Sequence, residues 1–302
     1  MLAPEWATMI TPRPLPWMMA ACAALCVGLL SAVAAETPAA PPMAASKPTL
    51  YVVGDSTANS PAPIQGWGTP FGAYFDPARV TVLNKARGGR SSRSYIHEGL
   101  WDGIVKDLKP GDFVLLQFGH NDGGTPSANR AGDRPSLPGL GEETKDFPNP
   151  AGQTEAVHTF GFYMRKMVAD AKAKGATVIV LSCTVRNIWR DGKADHGPGS
   201  FGPWAADVAK AQGVPFVDLS SIVADKYDVL GKEKVVPFYG PTDTTHSTPA
   251  GADYNATSVV SGLKALKDSP FVALLSDKGR AVATADVKYV TQNAPGAGAT
   301  GK

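Results

Sequence analysis

Five short apolar runs, separated by segments with helical periodicity, restrict the fold of this chain more than any other sequence feature. Each run is continuous rather than alternating, which is typical of strands that are buried on both faces of a parallel sheet. The chain is therefore predicted to be an α/β protein, a three-layer α/β/α sandwich with a five-stranded parallel sheet. The runs are residues 50–53, 80–83, 113–117, 177–181 and 215–217.

The ends of the chain differ in composition from its middle. Residues 1–34 hold an Ala- and Leu-rich apolar run that ends in small residues, which predicts a secretory signal peptide. An uncleaved membrane anchor is the alternative, although a run of roughly 17 apolar residues is short for a span. Residues 35–47 are predicted to be a linker, residues 48–290 one domain, and residues 291–302 a flexible tail.

Charge and cysteine content restrict the partners and the compartment. The net charge of +2 gives no reason to expect a nucleic-acid partner. Of the three cysteines, only Cys183 lies outside the predicted signal peptide, so no internal disulfide is expected and Cys183 is predicted to be a buried structural thiol. We expect an exported bacterial protein, periplasmic or extracellular, with no stable membrane association after cleavage. The sequence carries no signal for the oligomeric state.

Ser56 follows the first apolar run, behind Gly54 and Asp55, which both tolerate tight turns. A serine on a sharp turn at the carboxyl end of a strand exposes its hydroxyl and its backbone N–H, as a nucleophile requires. A simple helix N-cap after a strand is the alternative.

Three other pieces are expected at the same edge of the sheet. Gly89, in a Gly-Gly pair, lets a backbone N–H approach a ligand, and the Asn121 amide can donate without charge. Asp243 lies three residues before His246, so its carboxylate can hold one ring nitrogen while the other faces a hydroxyl. The alternatives are an ordinary glycine turn, a turn-capping asparagine, and half of a metal site for the Asp-His pair.

In this order the pieces resemble the motif blocks of the SGNH hydrolases, also called GDSL-type esterases, over residues 50–266. The resemblance is closest to the rhamnogalacturonan acetylesterases. It rests on Gly-Asp-Ser-Thr at 54–57, the Asn- and Arg-containing block at 84–95, Phe-Gly-His-Asn-Asp at 118–122, and Asp-x-Thr-His at 243–246. The resemblance implies a flavodoxin-like sheet and the removal of acetyl groups from a plant cell-wall polysaccharide.

The resemblance also implies a role for each matching residue. Ser56 is the expected nucleophile, and Asp243 and His246 complete a triad. The backbone N–H groups of Ser56 and Gly89 and the Asn121 side chain are the expected oxyanion hole. This acyl-transfer mechanism needs neither a metal nor an organic cofactor.

Four further residues are candidates for binding an acetylated polysaccharide. Trp67 and Trp189 could stack on sugar rings, although a tryptophan in a loop is more often a packing anchor. Arg90 and Arg186 could bind uronate carboxylates or could pair with local acids. The loops at 123–153 and 186–203 are expected to flank the site, and they are polar. A lipase-like or xylan esterase and a carbohydrate-binding module without catalysis remain the alternatives.

Overall fold

A six-stranded sheet runs through the part of the chain that the computed structural model describes, residues 47–126, 134–148, 151–197 and 199–292. The predicted signal peptide, nearly all of the predicted linker and most of the predicted tail lie outside these residues. The strands of this sheet are β1 (Thr49–Gly54), β2 (Thr81–Asn84), β3 (Phe113–Gln117), β6 (Thr177–Leu181), β9 (Phe216–Val217) and β10 (Val290–Thr291). Two separate hairpins are formed by β4 (Thr144–Pro148) with β5 (Thr154–His158), and by β7 (Trp189–Arg190) with β8 (Lys193–Ala194).

The sheet order is β2-β1-β3-β6-β9-β10. The first five strands are parallel neighbours in the order of flavodoxin-like sheets, so the predicted five-stranded parallel core is confirmed. The sixth strand, β10, runs antiparallel to β9, which makes the sheet mixed. It was missed because two residues are too few to show a period, and Thr291 therefore belongs to the sheet rather than to the predicted tail.

Helices cover both faces of the sheet, as the three-layer prediction requires. They are α1 (Gly68–Phe71), α2 (Ser92–His97), α3 (Leu100–Asp107), α4 (Phe160–Ala173), α5 (Phe201–Gln212), α6 (Leu219–Leu230), α7 (Lys232–Val235), α8 (Pro249–Ala265) and α9 (Asp277–Arg280). None of the helices within the described ranges is long and apolar enough to cross a membrane.

Side-chain alternation along the strands explains the two layers of core. In β1, Leu50 and Val52 pack into one apolar cluster, whereas Tyr51 and Val53 pack into the other. The first cluster contains residues of α6 and α8, and the second contains residues of α4 and α5. Consecutive residues of the central strands are therefore buried on opposite faces, which is why these runs are apolar at consecutive positions.

The two long predicted loops contain more structure than expected. The β4–β5 hairpin begins inside residues 123–153, and the β7–β8 hairpin and the start of α5 lie inside residues 186–203. Helix α2 starts within the motif block at 84–95, because Ser91 and Ser94 form a reciprocal capping box in which each side chain accepts the other's backbone N–H.

Candidate active site

A tight turn directly after β1 presents Ser56. The backbone N–H groups of Ala58 and Asn59 both donate to the Asp55 carbonyl, at 3.2 and 3.1 Å. Asp55 Oδ1 accepts from the Thr57 backbone N–H and hydroxyl, each at 2.8 Å, so the turn is bonded on both sides of Ser56. Ser56 thereby lines a cleft of about 630 Å³ at the carboxyl ends of the strands.

His246 and Asp243 lie in line with this serine. His246 Nε2 is 2.8 Å from Ser56 Oγ, and His246 Nδ1 is 2.7 Å from Asp243 Oδ2. Burial raises the pKa of Asp243, but hydrogen bonds from the backbone N–H groups of His246 and Thr245 outweigh it and hold the pKa below its usual value. Asp243 is therefore ionised at neutral pH and can stabilise an imidazolium on His246.

The turn that carries His246 is bonded to two distant segments. The Asn187 backbone N–H donates to the Thr244 carbonyl at 2.7 Å. Gln65 and Ser247 exchange two hydrogen bonds of 2.8 Å, from the Gln65 N–H and from the Ser247 hydroxyl. These contacts hold the imidazole at hydrogen-bonding distance from the serine.

The three predicted oxyanion donors converge on the same cleft. Gly89 has φ of +77°, a conformation that favours glycine, and Gly88 lies so close that a Cβ there would be 3.7 Å from Ser56 Cβ. The backbone N–H groups of Ser56 and Gly89 donate to no other group among the residues described. Asn121 Nδ2 donates to the Arg90 carbonyl at 3.0 Å, which fixes the amide and leaves its second N–H for a ligand. The arrangement can bind an oxyanion, and the assigned roles stay predictions.

Two side chains of the cleft wall are sparsely bonded. Arg186 Nε has no partner among the described residues, and the His120 ring makes no hydrogen bond to another side chain there. Burial lowers the pKa of His120 below its usual value, although the charge of Asp55 opposes this, so the ring is neutral at pH 7. His120 and Arg134 line the cleft but were given no role from the sequence. The position of His120 directly before Asn121 was the available signal.

The four predicted substrate-binding residues have different outcomes. Trp67 is fully buried and donates its indole N–H to Gln117 Oε1 at 2.8 Å, so no sugar can stack on it and that prediction is wrong. Arg90 pairs with Glu98 at 2.8 Å, the local pairing that was its alternative. Arg186 lines the cleft. Trp189 donates to Asn187 at 2.9 Å and packs partly on the core; its role stays a prediction.

A buried hydrogen-bond network supports the loop that carries Gly89. Asp122 accepts hydrogen bonds from the Ser92 backbone N–H, the Ser92 hydroxyl and the Ser136 hydroxyl. Burial raises the pKa of Asp122 to about 7, against the lowering effect of these bonds. The network joins the start of α2 to the residue after Asn121, so two of the oxyanion donors share one support.

Cys183 is buried and free, as predicted, and its thiol donates to the Phe118 carbonyl at 3.3 Å. No three His, Cys, Asp or Glu side chains converge into a metal-binding group within the described segments. The absence of a metal from the mechanism stays a prediction.

Comparison with known proteins gives a consistent group of relatives. The profile of the GDSL-like lipase/acylhydrolase family matches residues 52–254. A rhamnogalacturonan acetylesterase of Emericella nidulans is 38% identical over 224 residues, covering 73% of this chain and 88% of that protein. The rhamnogalacturonan acetylesterase RhgT of Bacillus subtilis is 28% identical, with 72% and 90% covered.

A crystal structure of the B. subtilis protein YxiM is similar in fold, with a TM-score of 0.57 and 27% sequence identity. The match covers 72% of this chain and 56% of that chain, so it spans about half of YxiM.

Proposed function

This chain belongs to the GDSL-like lipase/acylhydrolase family, a family of carboxylic-ester hydrolases, and from that premise we propose that it removes acetyl groups from rhamnogalacturonan. The observation that carries the chemistry is the line of hydrogen bonds from Asp243 through His246 to Ser56, at 2.7 and 2.8 Å. The observation that supports the substrate is the similarity to two rhamnogalacturonan acetylesterases.

The proposed reaction has two acyl-transfer steps. His246 Nε2 takes the proton of Ser56 Oγ as the oxygen attacks the acetyl carbonyl, and Asp243 stabilises the imidazolium that forms. The backbone N–H groups of Ser56 and Gly89 and the Asn121 amide donate to the oxyanion. His246 then protonates the departing sugar hydroxyl.

Water releases acetate by the same sequence of transfers. His246 takes a proton from water, the resulting hydroxide attacks the acetyl-serine carbonyl, and Ser56 Oγ leaves with the proton returned by the imidazolium. Both steps use the same oxyanion donors, so losing one donor slows acylation and deacylation alike.

The cleft favours a short acyl group. Among the described residues of its lining, Ile64 is the one large aliphatic side chain, whereas a fatty-acyl site needs several. Two arginines, Arg134 and Arg186, line the same cleft and can bind the carboxylate of an acidic sugar. These features support acetyl esters of an acidic polysaccharide over lipid esters.

The test compares substrates on the purified protein, with Ser56→Ala as the control for background hydrolysis. Acetate release is expected to be faster from acetylated rhamnogalacturonan than from acetylated xylan, and 4-nitrophenyl acetate is expected to react far faster than the octanoate. Faster octanoate cleavage would support a lipase-like enzyme. Faster release from xylan would keep the esterase and reject the pectic substrate.

Export is part of the proposal because polysaccharides are met outside the cytoplasm. The apolar residues 1–34 support it. Mass spectrometry of the protein recovered from its natural host is expected to give a new N-terminus near residue 35. A full-length N-terminus on the mature protein would reject the signal peptide.

A further inference from the structure

A second cavity, of about 610 Å³, adjoins the catalytic cleft, and we propose that it is a subsite for another sugar residue of the polysaccharide chain. This inference rests on the proposed function. Phe201 and Trp204 of α5 are its aromatic wall, and Arg186 binds a carboxylate of the substrate where the two cavities meet. The subsite thus gives the enzyme a preference for a chain over a single acetylated sugar.

The two cavities are neighbours because they share residues. His120 and Arg186 line both of them. A sugar chain whose acetyl group lies at Ser56 can therefore continue past these two side chains into the second cavity. The remaining wall consists of the glycine-rich segment after β3, the residues that precede and begin α5, and Ser136 and Pro138.

Glycines keep this cavity open. Gly119 has φ of +143°, and a Cβ there would come within 2.8 Å of both Phe201 Cβ and Cys183 Sγ. A Cβ on Gly123 would lie 3.5 Å from the Phe201 ring. A side chain at Gly119 would clash with Phe201, and any side chain longer than Cβ at Gly123 would begin to cover the Phe201 ring, so glycine at both positions keeps this ring uncovered.

Trp204 differs from the other tryptophans that the structure describes. The indole N–H groups of Trp67, Trp101 and Trp189 donate to Gln117, Asp170 and Asn187. The Trp204 N–H donates to no described group, and its half-buried ring packs edge-on against Phe201 with centroids 5.2 Å apart. A ring with an apolar face and an unused donor suits a sugar, which offers both C–H groups and hydroxyl acceptors.

Arg186 adds the charge. Its guanidinium has neither an ion pair nor a hydrogen bond within the described ranges, and its Nε is buried. A half-buried cation without a partner is costly, and its planar fork matches a carboxylate. The neutral ring of His120 lines both cavities beside it. A ligand carboxylate can bond to the Nη atoms of Arg186, which are not buried.

The decisive measurement is a ratio, kcat/KM on acetylated rhamnogalacturonan oligosaccharides divided by kcat/KM on 4-nitrophenyl acetate. Trp204→Ala is expected to lower this ratio about tenfold, and the wild-type gain in kcat/KM with oligosaccharide length is expected to flatten. The matched control is Phe162→Ala, which removes a half-buried aromatic ring of α4 that lines neither cavity. Its ratio is expected to stay within twofold of wild type.

Equal losses on both substrates in Trp204→Ala, or no change in the ratio, would overturn the subsite. If Trp204→Ala fails to fold, a substitution at Ser200 that fills the cavity tests the same proposal. Its exposed side chain lines the cavity and makes no capping hydrogen bond, so Ser200→Leu adds volume without removing a contact. Ser200→Leu is expected to lower the ratio about fivefold relative to Ser200→Ala, and equal ratios would reject the proposal.

The same variants separate this inference from the proposed function. If the wild type releases no acetate from rhamnogalacturonan, the pectic substrate is wrong. The ratio is then measured on acetylated xylo-oligosaccharides, where a Trp204-dependent gain with length still supports the subsite and its absence overturns it. The charge is tested by Arg186→Gln, which is expected to reduce the preference for oligosaccharides with free carboxylates over methyl-esterified ones. An unchanged preference would reject Arg186 as the carboxylate ligand.

Discussion

Buried polar groups are bonded differently in two regions of the molecule. One region is the catalytic cleft, and the other is the loop base, which we define as Ser92, Arg93, Asp122 and Glu155. In the loop base, Arg93 and Glu155 are 3% and 8% exposed and form two parallel hydrogen bonds of 2.6 Å. Burial raises the pKa of Glu155, but the hydrogen bonds and charge of Arg93 outweigh it and lower the pKa overall. In the cleft, the Arg186 guanidinium has no described partner, and His120 bonds to no other described side chain.

This difference in hydrogen bonding separates residues that support the fold from residues that can bind a ligand. Buried polar groups in folded proteins almost always form hydrogen bonds, because a group that is buried without one loses its hydrogen bonds to water and gains none in the protein. The loop base satisfies its own groups and fixes the segment that carries Gly89. The cleft leaves groups unsatisfied where a substrate can bond to them. Mutations should therefore affect activity in the cleft and stability in the loop base, and four predictions test this separation.

The largest expected effect is on activity. Ser56→Ala removes the proposed nucleophile and is expected to reduce kcat/KM on 4-nitrophenyl acetate by about 10⁵-fold or more. The midpoint of thermal unfolding should change little, because the Ser56 hydroxyl bonds to no described residue other than His246. Activity is followed by 4-nitrophenolate release and unfolding by circular dichroism. Wild-type turnover in this variant would refute the mechanism.

The next effect is on stability. Glu155→Ala leaves the Arg93 charge buried without its carboxylate, and the free energy of unfolding is expected to fall by about 3–5 kcal/mol. Glu98→Ala is the matched control, because Glu98 pairs with the more exposed Arg90 and such pairs contribute about 1 kcal/mol or less. Urea unfolding measures both. Equal losses in the two variants would remove the contrast between buried and exposed pairs.

The loop base should also make stability depend on pH. The pKa of Asp122 is raised from 3.8 to about 7, so between these values the folded protein keeps a proton that the unfolded chain releases. The contribution of Asp122 to stability is therefore complete below about pH 4 and falls as pH rises to about 7, by up to about 4 kcal/mol.

The measurement compares urea unfolding of wild type and Asp122→Asn from pH 4 to 7, since the variant cannot titrate at this position. The difference between their unfolding free energies should change in favour of the variant as pH rises. Parallel curves for the two proteins would contradict the raised pKa.

The smallest of the four effects is again in the cleft. Asn121→Ala removes one of the proposed oxyanion donors and is expected to lower kcat by roughly 10²–10³-fold, with less change in KM. Asn121→Asp keeps the shape of the side chain but replaces the amide donor by a carboxylate acceptor, so kcat should fall at least as much as in Asn121→Ala. A loss of tenfold or less in both variants would assign Asn121 to support of the loop through the Arg90 carbonyl.

The sequence was sufficient where the signal is local. Continuous apolar runs predicted the parallel strands, because burial on both faces requires apolar residues at consecutive positions. The turn at Ser56 and the Asp243–His246 spacing each lie within four residues, so they could be recognised without tertiary information. The positions of these motifs after predicted strands then indicated that they share the carboxyl edge of the sheet.

The features that could not be predicted from the sequence depend on contacts with residues far away in the chain. Trp67 was misplaced because its burial is decided by Gln117, which lies 50 residues away. The pairing of β10 with β9 depends on two residues at the far end of the domain. Arg186 is a candidate ligand-binding residue because it has no partner among the described residues, and neither residue type nor spacing can reveal such an absence.

The hydrogen bond between His246 and Ser56 joins residues 190 positions apart. We expect such a contact to form late in folding, because a long stretch of chain must first be brought together. The sheet around β1 and β3 can be complete while Ser56 still lacks its proposed base. Recovery of ester hydrolysis during refolding therefore reports the arrival of the C-terminal turn, and a nascent chain stays inactive until that turn has been synthesised and has docked.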